Sequence, residues 1–211
     1  MADASEVVKG WIGELAAAGC RYVQIDAPEL AEAFADERVR AEHAARGIDP
    51  DRFLHEGTEL IGEVAQVGVP DGILALHVCK GNGTQSWIAE GGYEEFARHV
   101  FARAGGFDVF LLEYDDERSG SFEPLRELPD DKIAVLGLVS TKWTALEEPD
   151  ELVRRIDDAA RIHPKERLAL STQCGFASAA ETAEQRKISE GTQEQKLRLV
   201  AEIAARVWTH A

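Results

Sequence analysis

Short apolar runs recur along the chain, and a helix-like pattern lies between most of them. Nearly continuous apolarity over about four to eight residues is typical of strands that are buried on both faces of a parallel sheet. Five such runs lie at residues 21–26, 72–79, 108–113, 132–139 and 167–171. Because these runs alternate with helix-like segments, the pattern predicts parallel strands joined by right-handed crossovers, and therefore an α/β fold.

The segments outside these runs carry the helical repeat. In residues 94–104 and 149–162 the apolar side chains fall on one helical face. The Gly105-Gly106 pair marks a helix end after the first of these segments. Residues 7–18 predict a further helix before the first strand. The charged, alanine-rich stretch 35–57 predicts either a helical insert or an excursion over the mouth of the sheet.

The number of predicted strands is smaller than the number that a closed parallel barrel needs. A closed parallel barrel needs eight βα units and about 250 residues, whereas five units are visible in these 211 residues. The sheet is therefore open, or it is completed by another chain, or the chain is part of a longer protein. Exposed sheet edges favour a homo-oligomer or a partner chain that covers them. No linker or low-complexity tract divides residues 1–211, which we interpret as a single partial domain.

Charge and composition narrow the classes of partner. The chain has 23 Lys and Arg against 39 Asp and Glu, a net charge of -16. Such a field repels nucleic acid and anionic lipid surfaces. No apolar stretch approaches the roughly 18 residues that cross a bilayer, and the first residues lack the features of a signal peptide. We therefore expect a cytoplasmic protein with no nucleic-acid partner and no membrane partner.

Residues that commonly bind metal ions lie at or just after the ends of several predicted strands. His77 and Cys79 lie two residues apart at the end of the second run, so strand alternation points both to the same side. Glu113 closes the third run and Cys174 follows the fifth. The carboxyl ends of parallel strands meet at one edge, where active sites of such folds are built. One imidazole, two thiolates and a carboxylate suit four-coordinate zinc.

The charge of this ligand set favours one kind of chemistry. Two thiolates and a carboxylate around Zn²⁺ leave a net charge of about -1, which makes the centre a poor source of hydroxide. Metal coordination still deprotonates an incoming thiol. The favoured reaction is therefore attack by sulfur on an electrophilic carbon.

Each residue also has a simpler interpretation when it is taken singly. A lone buried cysteine is usually an inert small apolar residue, and Cys20, which precedes the first strand, fits that description. His77 has the alternative of a hydrogen-bonded core histidine, and Glu113 that of a partner for an arginine. Metal-type residues at several strand ends favour the metal site over these alternatives.

Four motifs in order resemble the catalytic C-terminal barrel of cobalamin-independent methionine synthase and its shorter relatives, including proteins similar to epoxyalkane:coenzyme M transferase. The motifs are Tyr22-Val23-Gln24-Ile25-Asp26-Ala27-Pro28, His77-Val78-Cys79-Lys80-Gly81-Asn82, Leu112-Glu113 and Gln173-Cys174-Gly175-Phe176. The resemblance implies a (βα)8 TIM-barrel-type fold, of which about five βα units are visible. It also implies that zinc is held by His77, Cys79, Glu113 and Cys174.

The resemblance further implies roles for two residues near the metal. Asp26 matches an acidic residue that holds the amino group of the amino-acid substrate in methionine synthases. Ala27 stands where those enzymes have a glutamate. In the fourth-strand motif, Lys142 lies near the place of a histidine associated with protonation of the folate leaving group. We therefore expect Asp26 to orient the substrate and the loop around Lys142 to face the donor.

Three functions follow as hypotheses. The first is zinc-dependent methyl or alkyl transfer to a small-molecule thiol acceptor, resembling 5-methyltetrahydropteroyltriglutamate-homocysteine S-methyltransferase. The second is an epoxide-opening thiol transferase of the coenzyme M type, which the altered Asp26-Ala27 and Lys142 positions favour. The third is a zinc-binding fragment or subunit that is not catalytic until a partner completes the barrel.

Overall fold

A computed structural model of the chain describes residues 2–83, 86–176 and 188–208. The strands are β1 (Tyr22–Asp26), β2 (Ile73–Val78), β3 (Val109–Glu113), β4 (Ile133–Val139) and β5 (Leu168–Thr172). The α-helices are α1 (Ala2–Ala17), α2 (Pro28–Ala35), α3 (Glu37–Ala45), α4 (Pro50–Ala65), α5 (Glu94–Phe96), α6 (Pro149–Ala159) and α7 (Glu190–Trp208). A π-helix covers Ala97–Phe101, and short 3-10 helices cover Glu117–Ser119, Glu123–Glu127 and Lys165–Arg167.

The five strands form one parallel sheet in the order β1-β2-β3-β4-β5. Each predicted apolar run coincides with one strand, so the predicted parallel α/β architecture is confirmed. The register places Asp26 opposite His77 and Glu113 opposite Gly137. All strands therefore end at the same edge of the sheet, which is where the predicted site residues lie.

The central strands are buried because their side chains are apolar on both faces. In β2, Leu74, Leu76 and Val78 are completely inaccessible to solvent. Phe110 of β3 packs against Phe101 with a ring-centroid distance of 5.2 Å and an edge-to-face angle of 71°. Burial of such side chains stabilises a fold by about 1.5–3 kcal/mol each. The sheet therefore gives the residues at its carboxyl edge a rigid platform.

Local capping signals explain the helices between β1 and β2. The side chain of Asp36 accepts a hydrogen bond from the backbone N–H of Arg38 at 2.8 Å, which caps the start of α3. Asp49 caps α4 in the same way, and Pro50 occupies its first turn. Of the two alternatives for residues 35–57, the structure therefore contains the helical insert.

The segment predicted as a helix at residues 94–104 is helical, but only its first turn is an α-helix. α5 passes directly into the π-helix Ala97–Phe101. The apolar spacing of Phe96, Val100 and Phe101 buries all three side chains. Apolar periodicity predicts which face is buried and does not distinguish the two hydrogen-bonding patterns.

Within the described residues, β1 and β5 are the edge strands of the sheet. Among the described helices, no stretch combines the length and the apolar character that crossing a bilayer requires. The prediction of one domain over 1–211 extends to residues 1, 84–85, 177–187 and 209–211, which lie outside the described residues.

Candidate metal centre

Three potential ligand atoms converge at the carboxyl edge of the sheet. One ring nitrogen of His77 and the sulfurs of Cys79 and Cys174 all lie within 4.8 Å of one another. His77 belongs to β2, Cys79 follows it directly, and Cys174 comes soon after β5. The structure therefore brings together three of the four residues predicted to bind the metal.

This convergence requires a strongly curved sheet. β3 and β4 lie between β2 and β5, and neighbouring strands are about 4.8 Å apart, so a flat sheet would separate β2 from β5 by roughly 14 Å. The sulfurs of Cys79 and Cys174 nevertheless lie within 4.8 Å. The sheet curls as the wall of a barrel does, and its inner side holds the site.

The three residues suit a metal such as zinc. Nε2 of His77 is buried and has no hydrogen-bond partner among the described residues. A buried polar atom without a partner costs free energy, and metal coordination is one way to satisfy it. One imidazole nitrogen and two sulfurs are donors that zinc prefers.

The pKa values of Cys79 and His77 are shifted by burial and by the acidic groups that surround them. The hydrogen bond to Cys174 is the largest cause that raises the pKa of the Cys79 thiol, followed by burial and by the charges of Cys174 and Glu113. Burial lowers the pKa of His77, but the hydrogen bond and charge of Cys174 and the charges of Asp26 and Glu113 outweigh it, so the net shift is upward. Without a cation, the site therefore favours a protonated Cys79 and holds a proton on His77 more tightly.

Glu113, the fourth predicted ligand, ends β3 at the same edge but is not one of the three converging residues. Its carboxylate is completely buried and already has three partners. It accepts hydrogen bonds from the backbone N–H of Lys80 at 2.8 Å, from Nζ of Lys142 at 2.9 Å and from Arg118 at 3.3 Å. Its negative charge still contributes to the raised pKa values of His77 and Cys79.

Lys142 is the centre of a buried group of charges. Its Nζ lies 2.9 Å from a carboxylate oxygen of Glu113 and 3.0 Å from one of Asp115, and all three side chains are inaccessible to solvent. Arg118 contacts the same two carboxylates and also Asp116, at 2.7 Å. Sequence analysis did not assign a role to Asp115 or Arg118. The clue in the sequence was the acidic pair Asp115-Asp116 directly after a buried strand.

Asp26 lies at the end of β1 beside His77, its partner in the register of β1 and β2. The side chain of Asp26 is exposed and accepts a hydrogen bond from Nε2 of Gln24 at 2.8 Å. Its charge is one of the causes that raise the pKa of His77. The structure therefore places Asp26 at the rim of the site, where its carboxylate is accessible.

Tyr93 joins the ends of β2 and β3 and was not found by sequence analysis. Its buried hydroxyl donates to the carbonyl of Val78 at 2.8 Å and accepts from the backbone N–H of Glu113 at 2.9 Å. Nζ of Lys80 lies 3.4 Å from the centre of the Tyr93 ring. Burial lowers the pKa of Lys80 to about 7. A single tyrosine therefore supports the backbone on which Cys79 and Glu113 are carried.

Sequence comparisons identify relatives along nearly the whole chain. Residues 1–194 match the family described as the catalytic domain of cobalamin-independent synthase. The uncharacterised Bacillus subtilis proteins YxjG and YxjH are 41% and 37% identical to this chain over 207 residues, or 98% of it. The match covers 53% of YxjG and 54% of YxjH, so the chain spans about half the length of these relatives.

Solved structures agree with this result. A Listeria monocytogenes protein, solved as a candidate vitamin-B12-independent methionine synthase, is 28% identical with a TM-score of 0.72, over 97% of this chain and 54% of that protein. A B12-independent methionine synthase from Shewanella sp. W3-18-1, in complex with selenomethionine, has a TM-score of 0.71 over 98% of this chain and 54% of that protein. At 18% identity, that second likeness concerns the fold alone. The predicted resemblance and the TIM-barrel-type α/β fold are thus confirmed, and the chain belongs to the family of the cobalamin-independent synthase catalytic domain.

Proposed function

We propose that this chain forms a zinc-dependent centre that transfers a methyl or alkyl group to the sulfur of a small thiol. The observation that carries the proposal is the convergence of His77, Cys79 and Cys174 within 4.8 Å, together with Nε2 of His77, which has no hydrogen-bond partner in the part of the chain that the structure describes. Glu113, at the same strand edge, is the proposed fourth ligand. Membership of the family supports this class of reaction.

The proposed reaction moves one carbon group between two partners. Bound zinc supplies deprotonation of the acceptor thiol at neutral pH. The thiol proton passes to solvent, and a lone pair of the sulfur forms the new sulfur–carbon bond. The bond between that carbon and the donor breaks, its electron pair stays with the donor, and the donor takes up one proton. No oxidant or reductant is required.

The surrounding residues have distinct proposed roles. Asp26, exposed at the rim, binds a cationic group of the acceptor and orients it. Lys142 neutralises Glu113 and Asp115, which it contacts at 2.9 and 3.0 Å. For Lys142 to pass a proton to the leaving donor, its ammonium group, which is completely buried, must first become accessible to that donor. Its predicted role on the donor side therefore requires a rearrangement around Lys142.

Zinc content tests the proposal directly. The purified protein is expected to bind one Zn²⁺ per chain, and Cys174→Ser should lower that content sharply because one of the sulfurs is lost. Cys20→Ser is the matched control, since the Cys20 thiol donates to the carbonyl of Tyr22 at 3.1 Å and is not one of the converging residues. Equal zinc in the wild type and in Cys174→Ser would refute the assignment.

The acceptor distinguishes methyl transfer from epoxide opening. Homocysteine and coenzyme M are both thiols, but only homocysteine carries an amino group for Asp26 to bind. We expect addition of the true acceptor to shift the zinc-edge absorption spectrum from two-sulfur towards three-sulfur ligation. A shift with coenzyme M alone would favour the epoxide-opening alternative, which the Asp26-Ala27 sequence supports.

The edge strands support a further proposal about completeness. β1 and β5 carry backbone groups that pair with one neighbour each in the described residues. We propose that further βα units, from a longer chain or from a partner, cover these edges and complete the site. A monomeric mass by light scattering, together with cooperative unfolding and full transferase activity, would contradict this proposal.

A further inference from the structure

A network of polar side chains joins the loops that follow β2, β4 and β5. Gln173 is almost completely buried. Its Oε1 accepts hydrogen bonds from the backbone N–H of Thr141 at 2.7 Å and from the Thr141 hydroxyl at 2.8 Å. Its Nε2 donates to Oδ1 of Asn82 at 2.9 Å. One amide side chain is therefore bonded to two other loops at once.

This network holds the backbone on both sides of Cys174. Before the cysteine, the backbone N–H of Gln173 donates to the carbonyl of Val139 at 2.9 Å. After it, the carbonyl of Gly175 accepts a hydrogen bond from Nδ2 of Asn82 at 2.9 Å. The carbonyl of Cys174 itself accepts from the hydroxyl of Thr172 at 2.8 Å. Cys174 lies in a bend, so these bonds replace the support that a regular strand would give.

Such support matters because metal ligation tolerates little displacement. Distances from ligands to a metal vary by only about 0.2 Å in a functional site. His77 and Cys79 are positioned by β2 and its immediate end, whereas Cys174 is reached only after β5 has ended. The Tyr93 hydroxyl and the Glu113 carboxylate support the backbone beside Cys79 directly at the end of β2, whereas the side chains of Gln173 and Asn82 do so for Cys174 in a bend beyond β5.

The geometry points to Gln173 as a positioning residue for Cys174, acting together with Thr141 and Asn82. This inference rests on the proposed function, because it assumes that Cys174 binds the metal. Loss of the Gln173 amide should leave the sheet folded and release the bend, so that the sulfur of Cys174 no longer meets the ring nitrogen of His77 and the sulfur of Cys79. Removal of outer groups that orient metal ligands typically lowers metal affinity by about 10–100-fold.

The test uses variants that change the hydrogen bonds and keep the volume. Gln173→Met removes all hydrogen bonds of the amide, and Thr141→Val removes one hydroxyl. Thr141→Ser is the conservative variant that keeps the hydroxyl. Ser171→Ala is the general control, because among the described residues the Ser171 hydroxyl donates to the neighbouring carbonyl of Thr172, at 2.7 Å, and not to the network. Each variant is first compared with the wild type by urea unfolding.

Two metals provide the readouts, and neither needs an activity assay. Zn²⁺ affinity is measured by competition with a chromophoric chelator, and the sulfur-to-metal absorption of the Co²⁺-loaded protein reports how many thiolates bind. We expect Gln173→Met to weaken Zn²⁺ binding about 10–100-fold and to lower the Co²⁺–thiolate absorption by about half. Thr141→Val should weaken binding by a few-fold, and Thr141→Ser and Ser171→Ala should match the wild type.

The outcomes separate this inference from the proposed function. Wild-type affinity and absorption in Gln173→Met would overturn the positioning role alone. If Gln173→Met does not fold, the positioning role is tested by comparing Thr141→Val with Thr141→Ser. Equal Zn²⁺ affinities of these two variants would overturn the positioning role. If the wild type binds no Zn²⁺, or if Cys174→Ser binds it equally well, the metal centre itself is wrong and the inference is lost with it.

Discussion

Nζ of Lys142 lies 2.9 Å from a carboxylate oxygen of Glu113, and neither side chain is accessible to solvent. Asp115, equally buried, contacts the same ammonium at 3.0 Å. Buried charges are stable only when they are paired, because removal of one partner leaves the other in a medium of low polarity. The pair therefore links the stability of the fold to the geometry of the candidate site.

We predict that Lys142→Met lowers the free energy of unfolding by about 3–5 kcal/mol, because Glu113 and Asp115 lose a shared counter-charge. Urea unfolding at neutral pH measures the change. Arg154→Met is the matched control, since Arg154 is 61% exposed and contacts Glu151 and Asp158 at the surface. Its loss should cost less than about 1 kcal/mol. Equal losses in both variants would contradict the prediction.

Two buried tyrosines give a second, internally controlled prediction. Tyr93→Phe should lower the free energy of unfolding by about 1–3 kcal/mol, since the N–H of Glu113 and the carbonyl of Val78 lose their partner. The hydroxyl of Tyr114 has no hydrogen-bond partner among the described residues, so Tyr114→Phe should be neutral or stabilising. Thermal or urea unfolding of the two variants measures both changes. A larger loss of stability in Tyr114→Phe than in Tyr93→Phe would contradict the role of the Tyr93 hydroxyl.

The raised pKa of Glu32 predicts that the free energy of unfolding depends on pH. Burial and the charges of Glu29 and Glu113 raise the pKa of this buried residue to about 7. The folded protein therefore binds a proton more tightly than the unfolded chain, whose glutamate pKa is about 4.3. Stability from this group is greatest at low pH and falls as the pH rises towards and past 7.

Glu32→Gln should accordingly stabilise the protein at pH 8 by roughly 1–3 kcal/mol, and the difference should shrink towards pH 5. Urea midpoints across this pH range, measured after removal of metal with a chelator, provide the test. Glu37→Gln serves as the control, because the Glu37 side chain is 93% exposed. A pH-independent difference between Glu32→Gln and the wild type would contradict the assigned pKa.

Gly137 packs closely against the backbone of Gln173, the residue before Cys174. A Cβ at this position would lie 2.6 Å from Cα of Gln173 and 2.8 Å from the carbonyl oxygen of Leu112. Gly137→Ala should therefore displace backbone and cost about 1–3 kcal/mol, with weaker Zn²⁺ binding. Gly13→Ala in α1 meets no atom within 4 Å and should stabilise the helix by about 0.5–1 kcal/mol. Unfolding curves and chelator competition on both variants test the contrast.

The sequence predicted the strands well because each strand is a nearly uninterrupted apolar run. Strand alternation also placed His77 and Cys79 on one side, and the position of Cys174 after the fifth run placed it at the same edge. That these residues and Glu113 bind zinc stays a prediction. So do the roles of Asp26 and Lys142.

The side-chain contacts across the sheet could not be predicted in the same way. Gln173 and Asn82 are 91 residues apart along the chain, and their bond depends on how strongly the sheet curls. The pairing of Lys142 with Glu113 likewise depends on how the loop after β4 lies relative to the end of β3, and apolar periodicity carries no information about that arrangement. Patterns of single residues indicate the face and the end of an element, whereas a network depends on the three-dimensional path between elements.

The donors of the candidate centre lie at the end of the second strand of the described sheet and just beyond its last strand. A growing polypeptide exposes His77 and Cys79 early, but the sulfur of Cys174 leaves the ribosome only after the five strands of the described sheet have been made. The nascent chain consequently offers incoming ions an incomplete set of donors throughout synthesis. We expect metal capture to come after translation of the sheet, so that a loaded centre also marks a chain that has been synthesised through residue 174.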